Sequence, residues 1–190
     1  LAQIESIFIG EDPEREFLLS TVLSELIEQS RIAQVRGFPN FPNSPANFNW
    51  IEDFCTINLR GNRGIGHTKS MIDVIIEKRL NSLVYLSSWP MYASVKQFLF
   101  NRLLEEGFDY RQPVSSHVEA TSLDVDESFF VHFCKVEEEM SPIHGLRNVD
   151  AVFLDPYSEL SKDPRKLAEI KRLSYAYANL GSDFFFIGVG

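Results

Sequence analysis

Gly61-Asn62-Arg63-Gly64-Ile65-Gly66-His67-Thr68 is the stretch on which the reading of this chain turns. It fits the phosphate-binding pattern G-x-x-x-x-G-K-[ST] at every fixed position but one, where His67 stands in place of lysine. An apolar run, Phe54-Cys55-Thr56-Ile57-Asn58-Leu59, leads into it with strand character. Met71-Ile72-Asp73-Val74-Ile75-Ile76 follows with helical character. Strand, glycine-rich turn and helix in that order predict a loop whose backbone N–H groups and helix N-terminus cradle the β-phosphate of a nucleotide. Gly61, Gly64 and Gly66 admit positive φ and close backbone approach to an anion. Thr68 falls where a hydroxyl would bind Mg²⁺. Asn62 and Ile65 complete the loop.

Three cations compete for the role of the missing lysine. His67 holds the position, but its side chain is short and mostly neutral near pH 7. Lys69 lies two residues further on, about 200° around the helix, and so points away from the phosphates. Arg63 sits inside the loop and can fold back over the β- and γ-phosphates as a bidentate partner, which makes it the favoured one. The alternative is a glycine-rich strand-to-helix turn that binds nothing.

A second acidic site is read in Val149-Asp150-Ala151-Val152-Phe153-Leu154-Asp155, a buried strand ending in a carboxylate. A rigid strand end delivering charge beside a phosphate loop is what a metal-supporting acid requires. Pro156 follows directly and cannot act as the base that activates water. Glu159, one turn on, is the substitute expected here, with the run Glu137-Glu138-Glu139 as an alternative. Arg147, in Gly145-Leu146-Arg147-Asn148, either reaches the γ-phosphate or caps a turn.

The chain outside these motifs reads as alternating α and β structure. Asp12 and Pro13 open a helix expected over 13–34, with Phe17, Leu18, Val22, Leu26 and Ile27 at helical spacing. Residues 37–45 carry three prolines and two asparagines, which predicts a loop. Strands are expected over 54–59, 82–86, 128–136, 151–154 and 183–189, and helices over 67–79, 91–106 and 163–180. Apolar strands separated by helices predict a three-layer α/β/α sandwich around a mostly parallel central sheet. The organisation expected is an N-terminal helix and Pro/Asn-rich loop over 1–49, packed on a core over 50–190.

Composition bounds the rest. The chain has 190 residues, 44% of them hydrophobic, which suits one sizeable domain. A formal net charge of −9 repels nucleic acid on average, so any such contact needs a local basic strip. Arg60, Arg63, His67, Lys69, Lys78 and Arg79 form one, and anion binding by the loop accounts for them. Cys55 and Cys134 lack metal-site spacing and are read as buried free thiols in a reducing compartment. No apolar run approaches the roughly 18 residues of a membrane span. Leu1-Ala2-Gln3-Ile4-Glu5 has no basic n-region, so no signal peptide is expected; the missing initiator methionine suggests a processed or truncated chain, and the cytoplasm is the expected location. His117, His132 and His144 lack metal-like spacing and are read as structural.

Residues 61–68, 82–90, 149–155 and 182–190 together resemble the ATPase core of the additional-strand P-loop NTPases, most closely the large terminase subunits of tailed bacteriophages and helicase-like motors. The order is similar: phosphate loop, an apolar strand followed by Ser87-Ser88-Trp89-Pro90, then Gly145 to Asp155, then a strand closing in Ile187-Gly188-Val189-Gly190. The resemblance covers roughly residues 50–190. It implies ATP and Mg²⁺ as ligands, DNA association, protein partner subunits or self-association, and a host-cytoplasmic location if the chain is viral. It fits Arg63, because variant loops with an early arginine or lysine occur in that group. His67 and Pro156 depart from the pattern. A pseudo-ATPase serving as an interaction or assembly module is the competing expectation. A phosphotransferase needs an acceptor pocket for which the sequence carries no motif.

Overall fold

The computed structural model describes residues 13–37, 55–59, 66–86, 89–111, 122–125, 128–135, 148–155, 160–177 and 184–189. In chain order these form α1 (Pro13–Gly37), β1 (Thr56–Leu59), α2 (His67–Lys78), β2 (Ser82–Leu86), α3 (Trp89–Glu105), β3 (Tyr110–Arg111), β4 (Ser122–Val125), β5 (Phe129–Lys135), β6 (Ala151–Asp155), α4 (Pro164–Tyr177) and β7 (Phe185–Val189). The strands make one seven-stranded sheet in the order β1-β7-β6-β2-β5-β4-β3. From β1 to β5 every pairing is parallel, and the β5-β4-β3 edge is antiparallel.

Burial on both faces is what the apolar strands demand. β2, β6 and β7 are buried along their whole length, and their side chains alternate between two cores. Val84, Phe153, Phe185 and Ile187 face α1, α2 and α3, whereas Leu83, Tyr85, Val152, Leu154 and Phe186 face the side carrying α4. Two covered faces make the three-layer sandwich that the sequence predicts. α1 belongs to the first core through Leu23 and Ile27. It is fastened to α2 by Lys78 Nζ on Glu28 Oε1 at 3.1 Å and by the Ser24 hydroxyl donating to Glu77 Oε2 at 3.3 Å. Arg102 of α3 reaches Asp73 of α2 at 2.9 Å.

The predicted elements form with shifted ends: α1 runs on to Gly37, and α4 is described over Pro164–Tyr177, with residues 178–180 of the expected helix outside the described residues. β3 and β4 are additions to the expected list. β4 pairs antiparallel with β5, and Ser128 N–H and Oγ donate to Val125 O at 2.8 Å and 3.0 Å. Cys55 and Cys134 are buried and form no disulfide. Among the described residues no helix is long and apolar enough to cross a membrane. The loop expected over 37–45 lies outside the described residues, apart from Gly37 itself.

The amino ends of the parallel strands are tied together by polar groups. Asn81 N–H donates to Asp150 Oδ2 at 2.9 Å, and Phe130 N–H donates to Asn81 Oδ1 at 3.1 Å. Asp150 N–H donates to Asn81 O and Phe185 N–H to Asp150 O, both at 2.8 Å. Gln34 of α1 adds its Nε2, donating to Phe184 O at 2.8 Å. With that end closed, the opposite end, where β1 hands over to α2 and β6 stops at Asp155, is left for ligands, as is usual for open parallel sheets.

Candidate functional site

The site begins where α2 begins. Gly66 caps the helix at φ 85°, a left-handed conformation that a side chain would strain, and it makes no side-chain cap bond. The helix therefore opens with backbone N–H groups that no capping side chain at Gly66 satisfies. Its first turn holds no acidic residue to neutralise the positive end of the helix dipole. A helix start of this kind is an anion site in chemical terms.

Two strands away from β1, β6 delivers the acid. β7 lies between the two, so the carboxyl ends of the loop-bearing strand and the acid-bearing strand flank it. Thr68 bridges the gap: its hydroxyl donates to Asp155 Oδ2 at 2.7 Å, across 87 residues of sequence. Asp155 is only 5% exposed. Burial holds its carboxyl above the usual range, and the Thr68 hydroxyl pulls it part of the way back. A buried carboxylate paired with one neutral hydroxyl is short of positive charge. Two hard oxygens this close suit Mg²⁺, which takes one or two protein oxygens and completes its shell with water and phosphate. No group of three or more His, Cys, Asp or Glu among the described residues forms a metal cage.

His67 differs from a lysine in more than charge. It is 8% exposed, its Nε2 is buried without a hydrogen-bond partner, and burial lowers its pKa from the ordinary value. The neutral ring that the sequence predicts is therefore favoured further. One turn on, Ser70 is 0% exposed, and its Oγ is also without a partner. A buried polar group left unsatisfied costs about 1–3 kcal/mol, so two at the start of one helix are notable. Ser70 is a residue that the sequence did not single out. Its signal is modest: a hydroxyl on the buried stripe of α2, between His67 and Met71.

Of the predicted site residues, the structure brings Gly66, His67, Thr68 and Asp155 to one end of the sheet. Gly61, Asn62, Arg63, Gly64 and Ile65 lie outside the described residues, as do Arg147, Glu159 and the Glu137–Glu139 run. Lys69 is half-buried on α2. His132 is buried in β5, and burial lowers its pKa to about 4; His117 and His144 lie outside the described residues.

No protein-family model matches the chain, and neither does any curated protein. Among solved structures, the large terminase of a thermophilic bacteriophage in one crystal form is similar at a TM-score of 0.53 and 10% identity, over 84% of this chain. The chain spans 38% of that terminase's length. A second crystal form of the same terminase, in complex with ADP, matches at a TM-score of 0.45 and 10% identity, over 84% of this chain and 37% of that one. In this chain β7 separates the strand before the loop from the strand that carries the acid. The chain shares its fold with the matched part of that large terminase.

Proposed function

We propose that the chain is an ATP-binding P-loop ATPase core with a variant phosphate loop, working as a viral, DNA-associated motor or accessory ATPase. The observation that carries this reading is the 2.7 Å bond between the Thr68 hydroxyl and Asp155 Oδ2. It joins the last residue of the loop pattern to the strand-end acid, which is the pairing a nucleotide–metal site needs. In this reading the amides of residues 61–66 and the start of α2 receive phosphate, and Arg63 supplies the cation. Thr68 and Asp155 would hold Mg²⁺, which when bound neutralises charge on the phosphate oxygens. Arg147 reaches toward the γ-phosphate and Glu159 serves as base, since Pro156 has no group to do so. Protein partner subunits, or further copies of the chain, complete the assembly, and DNA meets the local basic strip against an otherwise acidic surface.

Two observations favour a second reading. The position where the pattern has lysine holds a buried imidazole whose pKa burial lowers, and the residue after Asp155 is proline. Both suit a pseudo-ATPase that keeps the fold as an interaction or assembly module. Turnover separates the two. Phosphate release from Mg–ATP that Asp155→Ala and Glu159→Gln each abolish is the expected result. A thermal shift with Mg–ATP but no turnover supports the pseudo-ATPase, and the absence of both overturns the nucleotide reading.

A further inference from the structure

Resting on the DNA-associated part of that reading and not on its nucleotide site, we propose that the outer face of α4 docks the phosphate backbone of duplex DNA, gripped by Lys162, Arg165, Lys166 and Arg172. The basic strip read from the sequence has little free charge where the structure describes it. Lys78 is held by Glu28, the Arg79 guanidinium lies 5.5 Å from the centre of the Phe108 ring, and His67 is buried. α4 differs. Residues 162–172 hold five basic and two acidic residues, in a chain whose formal net charge is −9. A helix turns about 100° per residue, which divides them between two sides. Leu167, Ile170 and Lys171 turn inward on the sheet, with Lys171 Nζ 5.0 Å from the centre of the Phe186 ring. Arg165, Lys166, Glu169 and Arg172 take the opposite side, and Lys162 stands exposed in the turn that leads in.

Three features fit this face to a polyanion. Its cations are unspent: among the described residues none of the four side chains makes an ion pair, whereas Arg31, Lys78 and Arg102 are each paired with a carboxylate. They also stand against the helix dipole. The first turn of α4 holds Arg165 and Lys166 and no acidic residue, so like charge gathers at the positive end. Asp163 lies outside the helix, and its Oδ1 accepts from the Arg165 and Lys166 N–H groups at 3.2 Å and 3.1 Å, capping the backbone without pairing the side chains. Phosphate bound there removes a repulsion that the fold leaves in place. The third feature separates DNA from an acidic protein. The large hydrophobic side chains exposed among the described residues are Ile32, Val35 and Leu104, on α1 and α3 and not on α4. Protein interfaces centre on buried apolar and aromatic anchors, whereas contacts to a phosphate backbone need only cations in place. The chain's negative balance repels DNA on average, which confines the contact to this face. No base is read, so the binding is independent of sequence.

Fluorescence anisotropy of a labelled mixed-sequence duplex tests this on the whole chain, without nucleotide, between about 50 and 200 mM salt. The samples are wild type, the four single variants Lys162→Gln, Arg165→Gln, Lys166→Gln and Arg172→Gln, and the quadruple variant. The slope of log affinity against log salt is expected to become shallower by about one for each cation replaced, and by about three to four in the quadruple variant. At the lowest salt the quadruple variant is expected to bind at least about tenfold more weakly. A second duplex of unrelated sequence is expected to behave as the first. The four side chains hold no partner within the fold, so the melting temperature is expected not to fall, and lost affinity cannot be put down to unfolding. Mg–ATP titration of the same samples is expected to match wild type, which keeps this test separate from that of the nucleotide site. A wild type that binds no duplex, or a quadruple variant with unchanged affinity and slope, overturns the DNA face, while the Mg–ATP titration decides the nucleotide reading by itself. Displacement of the duplex by poly-glutamate as effectively as by unlabelled duplex at equal charge also overturns it, in favour of an acidic protein partner.

Discussion

Single side chains decide where charge and protons sit in this molecule. His132 is buried in β5, and burial lowers its pKa from 6.5 to about 4. Between those two values the fold keeps it neutral while the unfolded chain protonates it. Its contribution is fully present above the ordinary histidine pKa and is lost progressively as pH falls toward about 4. A fall of that size corresponds to about 3 kcal/mol. His67 acts in the same sense through its own lowered pKa. Asp155 acts in the opposite sense: its raised pKa makes the buried carboxylate a burden at neutral pH that protonation relieves. Urea midpoints of wild type and His132→Gln between pH 7 and 4 check the histidine prediction. The wild-type midpoint is expected to fall with pH and the variant's to fall less; parallel curves contradict it.

Elements show what was legible in the sequence. The switch from an apolar strand to a helix at Gly66 was legible because glycine and a change of apolar period are local signals, while residues 61–65 of the glycine-rich stretch lie outside the described residues. β1, α2, β2 and β6 form where those signals stand. β3 and β4 were not, because Tyr110-Arg111 and Ser122-Leu123-Asp124-Val125 are too short to show alternation. Their strand state comes from pairing, β4 with β5 and β3 with β4, a tertiary cause. The amino-end tie was also hidden: Asn81 and Asp150 look like ordinary turn residues until the strands assemble. Asn81→Ala leaves Phe130 N–H without its acceptor and is expected to destabilise by about 1–3 kcal/mol. Because the tie lies at the end of the sheet opposite Asp155, nucleotide affinity in Asn81→Ala is expected to match wild type. Denaturant titration and nucleotide titration on the same variant check both parts, and loss of affinity without loss of stability contradicts the separation.

At the scale of the whole molecule, the fold brings together what the sequence keeps apart. The loop pattern and the strand-end acid were each visible as separate motifs. That they meet, with Thr68 on Asp155, follows from the order β1-β7-β6 and from the way α2 starts over the carboxyl ends of those strands. Strand order is a non-local outcome, and the apolar run of each strand says only that both its faces are covered. The antiparallel edge at β3 and β4 lies on the far side of β2 and β5 from the loop, so it extends the sheet without touching the site. The measurement that bears most directly on this account is isothermal titration of Mg–ATP into wild type, Thr68→Ala and Asp155→Asn, repeated with EDTA. Saturable binding by wild type, weakened at least about tenfold in each variant with Mg²⁺ and nearly equal among the three in EDTA, is the predicted result. No binding by wild type, or variants that bind Mg–ATP as wild type does, would contradict it.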